Sequence, residues 1–288
     1  MFEILGILCV TIICIALLLW PKKTDAPIYR DVWRKEWSEF LSSTVNFYQN
    51  LGGDSRVIFE KRILLFLHST VVEGAEAVIV TDEDRLLVAA SAIIPVWAFP
   101  NWRYFNLKSV YLLPATFDEQ FQCGGPLARF SGMVGTGPMA GKMVLSQPHL
   151  HHGFLNSRDK QNVGVHEFVH LIDMADGQCD GFPERLSHYA YAIPWLEFVR
   201  SKMDAILEGE SNIRHYGASK PEEFFTVASE YFFERPKMLK KKHPELCQAL
   251  EKFYQQNVEE IANDRIYKKN SPCPCGSGKK YKRCCVTL

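Results

Sequence analysis

The stretch Val163-Gly-Val-His166-Glu167-Phe-Val-His170-Leu-Ile-Asp173-Met-Ala-Asp176-Gly177 decides how this chain reads. His166 and His170 are four residues apart, so on a helix both imidazoles face the same way and can reach one metal ion. Glu167 follows the first histidine and can reach a water on that metal. The flanks favour a helix: Val163, Val165, Phe168, Val169, Leu171 and Ile172 are apolar, and Gly177 is a good stop. The bland alternative is a pair of structural histidines on an amphipathic helix. A metal site needs a third ligand.

Downstream, Tyr216-Gly-Ala-Ser-Lys-Pro221-Glu222-Glu223-Phe-Phe opens another helix, with Pro221 in its first turn. Glu223 adjoins the apolar pair Phe224-Phe225 and can point inward, whereas Glu222 is expected to face solvent. Glu230 lies two turns further along the same face. Either Glu223 or Glu230 can complete a His, His, Glu set. Taken alone, any one of these glutamates reads as ordinary helix-surface charge.

The segment HEFVHLIDMADG, the spacing from Tyr216 to Glu223-Phe-Phe, and VASEYFFERP resemble the Mlc titration factor A family of zinc peptidases. That family shares its catalytic core with the anthrax lethal factor protease. The resemblance runs over roughly residues 30–260. It implies a zincin-like metallopeptidase domain in which His166, His170 and Glu223 bind zinc, Glu167 is the catalytic glutamate and Tyr216 assists. Asp173, Asp176 and Gly177 fit the same pattern, and Asp173 is placed for a supporting hydrogen bond to an imidazole. The implied reaction is peptide-bond hydrolysis by metal-activated water, with Glu167 as general base and Tyr216 stabilising the oxyanion. A packed core tyrosine is the alternative for Tyr216. The family's repressor partner has no motif here. Glu167 favours an enzyme over a binding protein, because a pure metal-binding site needs no general base.

The carboxy terminus carries a second pattern. Cys273, Cys275, Cys284 and Cys285 form C-x-C-x8-C-C, with Gly276 and Gly278 supplying a tight turn. Four thiolates can close a tetrahedral zinc site. The pattern resembles the SEC-C motif, which implies contact with protein partners or the ribosome. The same end is basic, with Lys268, Lys269, Lys279, Lys280, Lys282 and Arg283. The chain is therefore expected to hold two Zn2+ ions, one catalytic and one structural. Of nine cysteines, these four fall in the last sixteen residues, which points to a reducing compartment rather than a disulfide scaffold. Cys123, Cys179 and Cys247 carry no pattern.

The amino terminus is different again. Ile4 to Trp20 is a charge-free run, ended by Pro21-Lys22-Lys23. Its length is at the lower limit for a membrane span, roughly 17 residues. It lacks the basic start and small-residue cleavage site of a signal peptide. Lys22, Lys23, Arg30, Arg34 and Lys35 follow the run and no basic residue precedes it. The positive-inside rule thus predicts a single-pass anchor in the cell inner (cytoplasmic) membrane, with the bulk of the chain in the cytoplasm.

The chain of 288 residues as a whole balances 33 basic against 33 acidic residues and is 47% hydrophobic. That supports a packed core and excludes a wholly disordered chain. It also argues against sequence-specific nucleic-acid binding, which calls for a basic field. Helical periodicity covers residues 29–51 and 56–72. A buried helix is expected from Asp82, ending near Pro95. Further helices are expected near 159–175, 194–207, 221–234 and 243–262. Short strands are expected at 109–113 and 142–146, with a Gly-rich loop or hairpin between them and the histidines 149, 151 and 152 in a polar loop. The predicted class is α+β, mostly helical, over a small antiparallel sheet. The predicted divisions are an anchor over 1–23, a peptidase-like domain over 27–263 and the knuckle over 268–288.

Overall fold

The structure, a computed structural model, describes residues 33–156, 159–183, 192–257 and 280. The anchor expected over 1–23 and the tail cysteines Cys273, Cys275, Cys284 and Cys285 lie outside the described residues. Among those described, no helix is long and apolar enough to cross a membrane.

The described residues form a mostly helical α+β fold. Helices α1 (Lys35–Thr44), α2 (Asn46–Asn50) and α3 (Gly53–Ser69) lead into β1 (Val71–Gly74). Then come α4 (Asp82–Ile93), β2 (Leu107–Leu113), β3 (Gly132–Val134) and β4 (Gly141–Ser146). Six helices follow: α5 (Gln147–Leu155), α6 (Val163–Asp173), α7 (Ala192–Leu207), α8 (Pro221–Glu234), α9 (Pro236–Lys242) and α10 (Pro244–Tyr254).

The sheet departs from the sequence expectation. It is mixed rather than antiparallel, in the order β1-β2-β4-β3, with β1–β2 and β2–β4 parallel and only β3–β4 antiparallel. The cause is the connection between strands. Helix α4 separates β1 from β2, and a helical crossover returns the chain parallel to its previous strand. Val71 and Val72, read from periodicity as the end of a helix, are in β1, because the chain leaves α3 at Thr70 and pairs with β2. The stretch read as one helix over 29–51 breaks at the extended Val45. The histidines at 149, 151 and 152 sit on α5 rather than in a loop.

Helix α4 starts on a capping box. Thr81 caps Asp84 N–H, and Asp84 accepts from Thr81 N–H in return. Asp84 is fully buried and also accepts from Gln147 and His151, which pins α5 onto α4. Burial alone would raise the Asp84 pKa, but the bonds from His151 and Thr81 hold it at about 2.

Two helices are buried on nearly every face and pack on each other: α6 and α8. Phe224, Phe225 and Phe232 are fully buried in α8 and belong to the same apolar cluster as Val165 and Val169 of α6, with Phe225 and Phe232 stacked on Tyr254 of α10. Each such phenylalanine contributes roughly 1.5–3 kcal/mol of transfer free energy. The shared cluster holds the two helices together, and their polar residues meet on the faces that adjoin.

A candidate metal centre between two buried helices

Helix α6 is started by Asn162, whose side chain accepts from Val165 N–H at 3.0 Å. It closes through a short 3-10 turn into Gly177, at φ 96°, the left-handed stop read from the sequence. The four-residue spacing stacks His166 and His170 with ring centroids 4.8 Å apart. Helix α8 starts at Pro221, which puts Glu223 in its first turn, where the helix dipole favours a carboxylate.

The three side chains converge. Glu223 Oε2 lies 3.2 Å from His166 Nε2 and 3.5 Å from His170 Nε2. One ligand atom from each residue falls within 4.8 Å of the others. Of the two glutamates on this face of α8, Glu223 occupies the meeting point and Glu230 does not. Glu222 turns aside toward Lys220, 3.5 Å away.

Glu230 has another task, one its sequence did not announce. Its Oε1 lies 2.8 Å from His166 Nδ1, and its Oε2 accepts Asn162 N–H at 2.6 Å. Arg214 also donates to it. The carboxylate, only 2% exposed, places the imidazole proton on Nδ1 and leaves Nε2 with its lone pair facing Glu223. The one available signal was the seven-residue interval from Glu223, which shows a shared face but not which partner each glutamate meets.

The geometry suits a cation. Glu223 Oε2 is buried and has no hydrogen-bond partner among the described residues, although two imidazole nitrogens adjoin it. An anionic oxygen and two nitrogen lone pairs pointed at one spot repel unless a proton or metal ion lies between them. Without a metal, protons take that role. Burial would lower the His166 pKa, but Glu230 and Glu223 overcome it and raise it to about 10. Burial would raise Glu223, but the two imidazoles beside it, His166 and His170, take it far below the usual carboxylate range. Two histidines and one glutamate are a donor set proper to zinc, with a coordination position left over.

Glu167 is 5% exposed, and its pKa is raised, first by burial and then by Glu223 and Glu230, against the pull of the two histidines. Edge strand β3 runs directly beside it. A Cβ on Gly132 would stand 2.5 Å from Glu167 Oε1 and 2.6 Å from Val163 Cγ2, so only glycine lets the strand come so close. Tyr216 lies on the 3-10 turn His215–Ala218, half exposed, with its ring centroid 6.1 Å from that of His166. Burial, then Glu223 beside it, raises the Tyr216 pKa well above the phenol range, so the hydroxyl remains a donor.

Asp173 differs from expectation. It is fully buried and accepts Gly181 N–H at 2.9 Å, and no hydrogen bond joins it directly to an imidazole. Cys179, which carried no sequence pattern, lies with its Sγ 3.8 Å from His170 Nδ1. The three helical histidines at 149, 151 and 152 bond to Ser146, Asp84 and Asp159, outside this centre.

Fold and site together describe a metallopeptidase-type centre on an α+β scaffold. The chain belongs to the glucose-regulated metallo-peptidase M90 family, whose sequence profile matches residues 19–255. Residues 270–285 match the SEC-C motif. Among curated proteins it is similar to the uncharacterized protein slr2042 of Synechocystis sp., 30% identical over 76% of this chain and 82% of the relative. It is also similar to Mlc titration factor A of Pectobacterium atrosepticum, 27% identical over 67% of this chain and 76% of that one. Mlc titration factor A of Serratia proteamaculans is 24% identical over 84% and 94%.

Proposed function

We propose that this chain is a zinc-dependent peptidase whose metal is held by His166, His170 and Glu223. The observation that carries the reading is the convergence of two imidazole Nε2 atoms on the unpartnered Glu223 Oε2, with the buried Glu167 on the same helix. When bound, zinc supplies a Lewis acid and brings the pKa of water towards about 7.

The chain's own residues do the rest. Glu167, whose pKa burial raises, takes the proton of the attacking water at its carboxylate and returns it to the leaving amine. Tyr216 keeps its hydroxyl proton and offers it to the oxygen that gains charge on the scissile carbonyl. Glu230 keeps His166 oriented throughout. The substrate is a peptide or protein.

The proposal extends to parts outside the described residues. Residues 4–20 anchor the chain in the cytoplasmic membrane with the following residues in the cytoplasm, on the strength of the basic residues after the run. Cys273, Cys275, Cys284 and Cys285 hold a structural zinc in the SEC-C motif and present a basic surface to a protein or ribosomal partner. A second reading is a non-catalytic adaptor, supported by that motif and by relatives named as a titration factor of Mlc.

Metal analysis and peptide hydrolysis on the full chain in detergent, with Glu167→Gln alongside, test the proposal. Two zinc ions per chain, hydrolysis by the unsubstituted protein and its near-complete loss in Glu167→Gln with zinc retained are expected. Equal turnover by the two proteins, or none by either, removes the enzymatic reading.

A further inference from the structure

The two imidazoles of the centre are supported unequally. His166 Nδ1 meets a carboxylate at 2.8 Å, whereas the hydrogen-bond partner of His170 Nδ1 among the described residues is the Cys179 sulfur at 3.8 Å. Beyond that sulfur lies Asp173, fully buried at the end of α6. Its Oδ2 accepts Gly181 N–H, while its Oδ1 is buried with no hydrogen-bond partner among the described residues. A carboxylate oxygen enclosed in that way calls for a donor.

Two glycines fold the loop back to deliver the thiol. Gly177 has φ 96° and Gly181 φ 74°, both left-handed, and a Cβ on Gly181 would stand 2.4 Å from Pro221 O. The loop is thus pressed against the start of α8, and Cys179 returns to a residue nine positions before it.

We propose that Cys179 is a positioning residue for the second histidine ligand, its sulfur accepting the His170 Nδ1 proton while its own S–H turns toward the Asp173 carboxylate. A thiol is a weak donor and a weak acceptor, and it can serve as both at once. The chain His170–Cys179–Asp173 orients one imidazole as Glu230 orients the other, and leaves its Nε2 free to face Glu223. Partners of this kind are worth roughly 10–100-fold in metal affinity, and sulfur belongs at the lower end. The inference rests on the His166, His170, Glu223 metal reading, but not on hydrolysis.

The test uses the full chain with Cys179→Ala, Cys179→Ser and Asp173→Asn. Zinc release to a chromogenic chelator is timed, and thermal unfolding is followed on the metal-free proteins. Cys179→Ala is expected to release the centre's zinc about tenfold faster, with its metal-free unfolding temperature unchanged. Cys179→Ser, which keeps a donor and an acceptor, is expected to return to within about threefold of the starting protein. Asp173→Asn should resemble Cys179→Ala. Unaltered release from Cys179→Ala, or equal losses in the alanine and serine variants, overturns the proposal. So does a fall in metal-free stability that accounts for the faster release, which would make the thiol a packing residue. If the unsubstituted chain cleaves no peptide yet the release rates follow this order, the peptidase reading fails and the positioning role stands.

Discussion

Replacing Glu230 tests how much of the centre is built by a residue that is not a ligand. Its carboxylate serves three donors: Asn162 N–H at 2.6 Å, His166 Nδ1 at 2.8 Å and the Arg214 guanidinium. Hydrogen bonds to charged groups are worth about 1.5–3 kcal/mol each, and a buried group left unpaired costs about 1–3 kcal/mol. In Glu230→Ala all three donors lose their acceptor. Arg214, only 24% exposed, keeps a charge without its counter-ion. The contacts share one carboxylate and are not additive, so we expect a loss of about 4 kcal/mol in metal-free stability. Metal affinity should fall roughly 10–100-fold, because the His166 ring is no longer held with Nε2 toward Glu223. Glu230→Gln retains one acceptor oxygen and should lose about half as much stability, with affinity reduced about tenfold. Urea denaturation of the chelated protein gives the first quantity, and zinc competition with a chelating dye gives the second. The reasoning is refuted if Glu230→Ala binds zinc within about twofold of the starting protein and unfolds at the same urea concentration.

Three further outcomes follow from the same geometry. The His166 pKa is raised from 6.5 to about 10 in the metal-free chain, so its contribution to stability is complete below about pH 6.5 and is lost as pH rises towards 10; urea midpoints of chelated protein should fall across that window, and Glu230→Gln should flatten the fall. Gly132→Ala places a methyl 2.5 Å from Glu167 Oε1, so the base must move; steady-state kinetics should show kcat lowered at least about tenfold, with zinc content unchanged. Tyr216→Phe should keep zinc and lower kcat roughly 10²–10³-fold while KM changes little, since only the hydroxyl that faces developing charge is removed.

The mixed sheet and the glutamate pair mark where local sequence stops being informative. Strands β2 and β4 were legible as short apolar runs, and most of the helices as periodic ones, although α5 was read as a loop. Strand β1 was not, because Val71–Gly74 is four residues long and acquires its identity only by pairing with β2. Strand direction was equally hidden, since alternation along a strand is the same whichever way its neighbour runs. Asp173 was expected to bond an imidazole, whereas its Oδ2 accepts a backbone N–H at Gly181.

What the sequence determined by itself is whatever a single helical turn fixes. His166 and His170 share a face because i and i+4 always do, Glu167 follows one position round the helix, and Asn162 and Gly177 bound their helix by local backbone rules. The tertiary structure decided the rest. Glu223 rather than Glu230 meets both imidazoles, Glu230 and Cys179 stand behind them, and Gly132 lets a strand pass against Glu167. Those assignments depend on how α8 lies across α6, two buried helices that belong to one apolar cluster. Hydrophobic burial is non-directional, so no spacing along the chain encodes the angle and offset at which two buried faces finally meet.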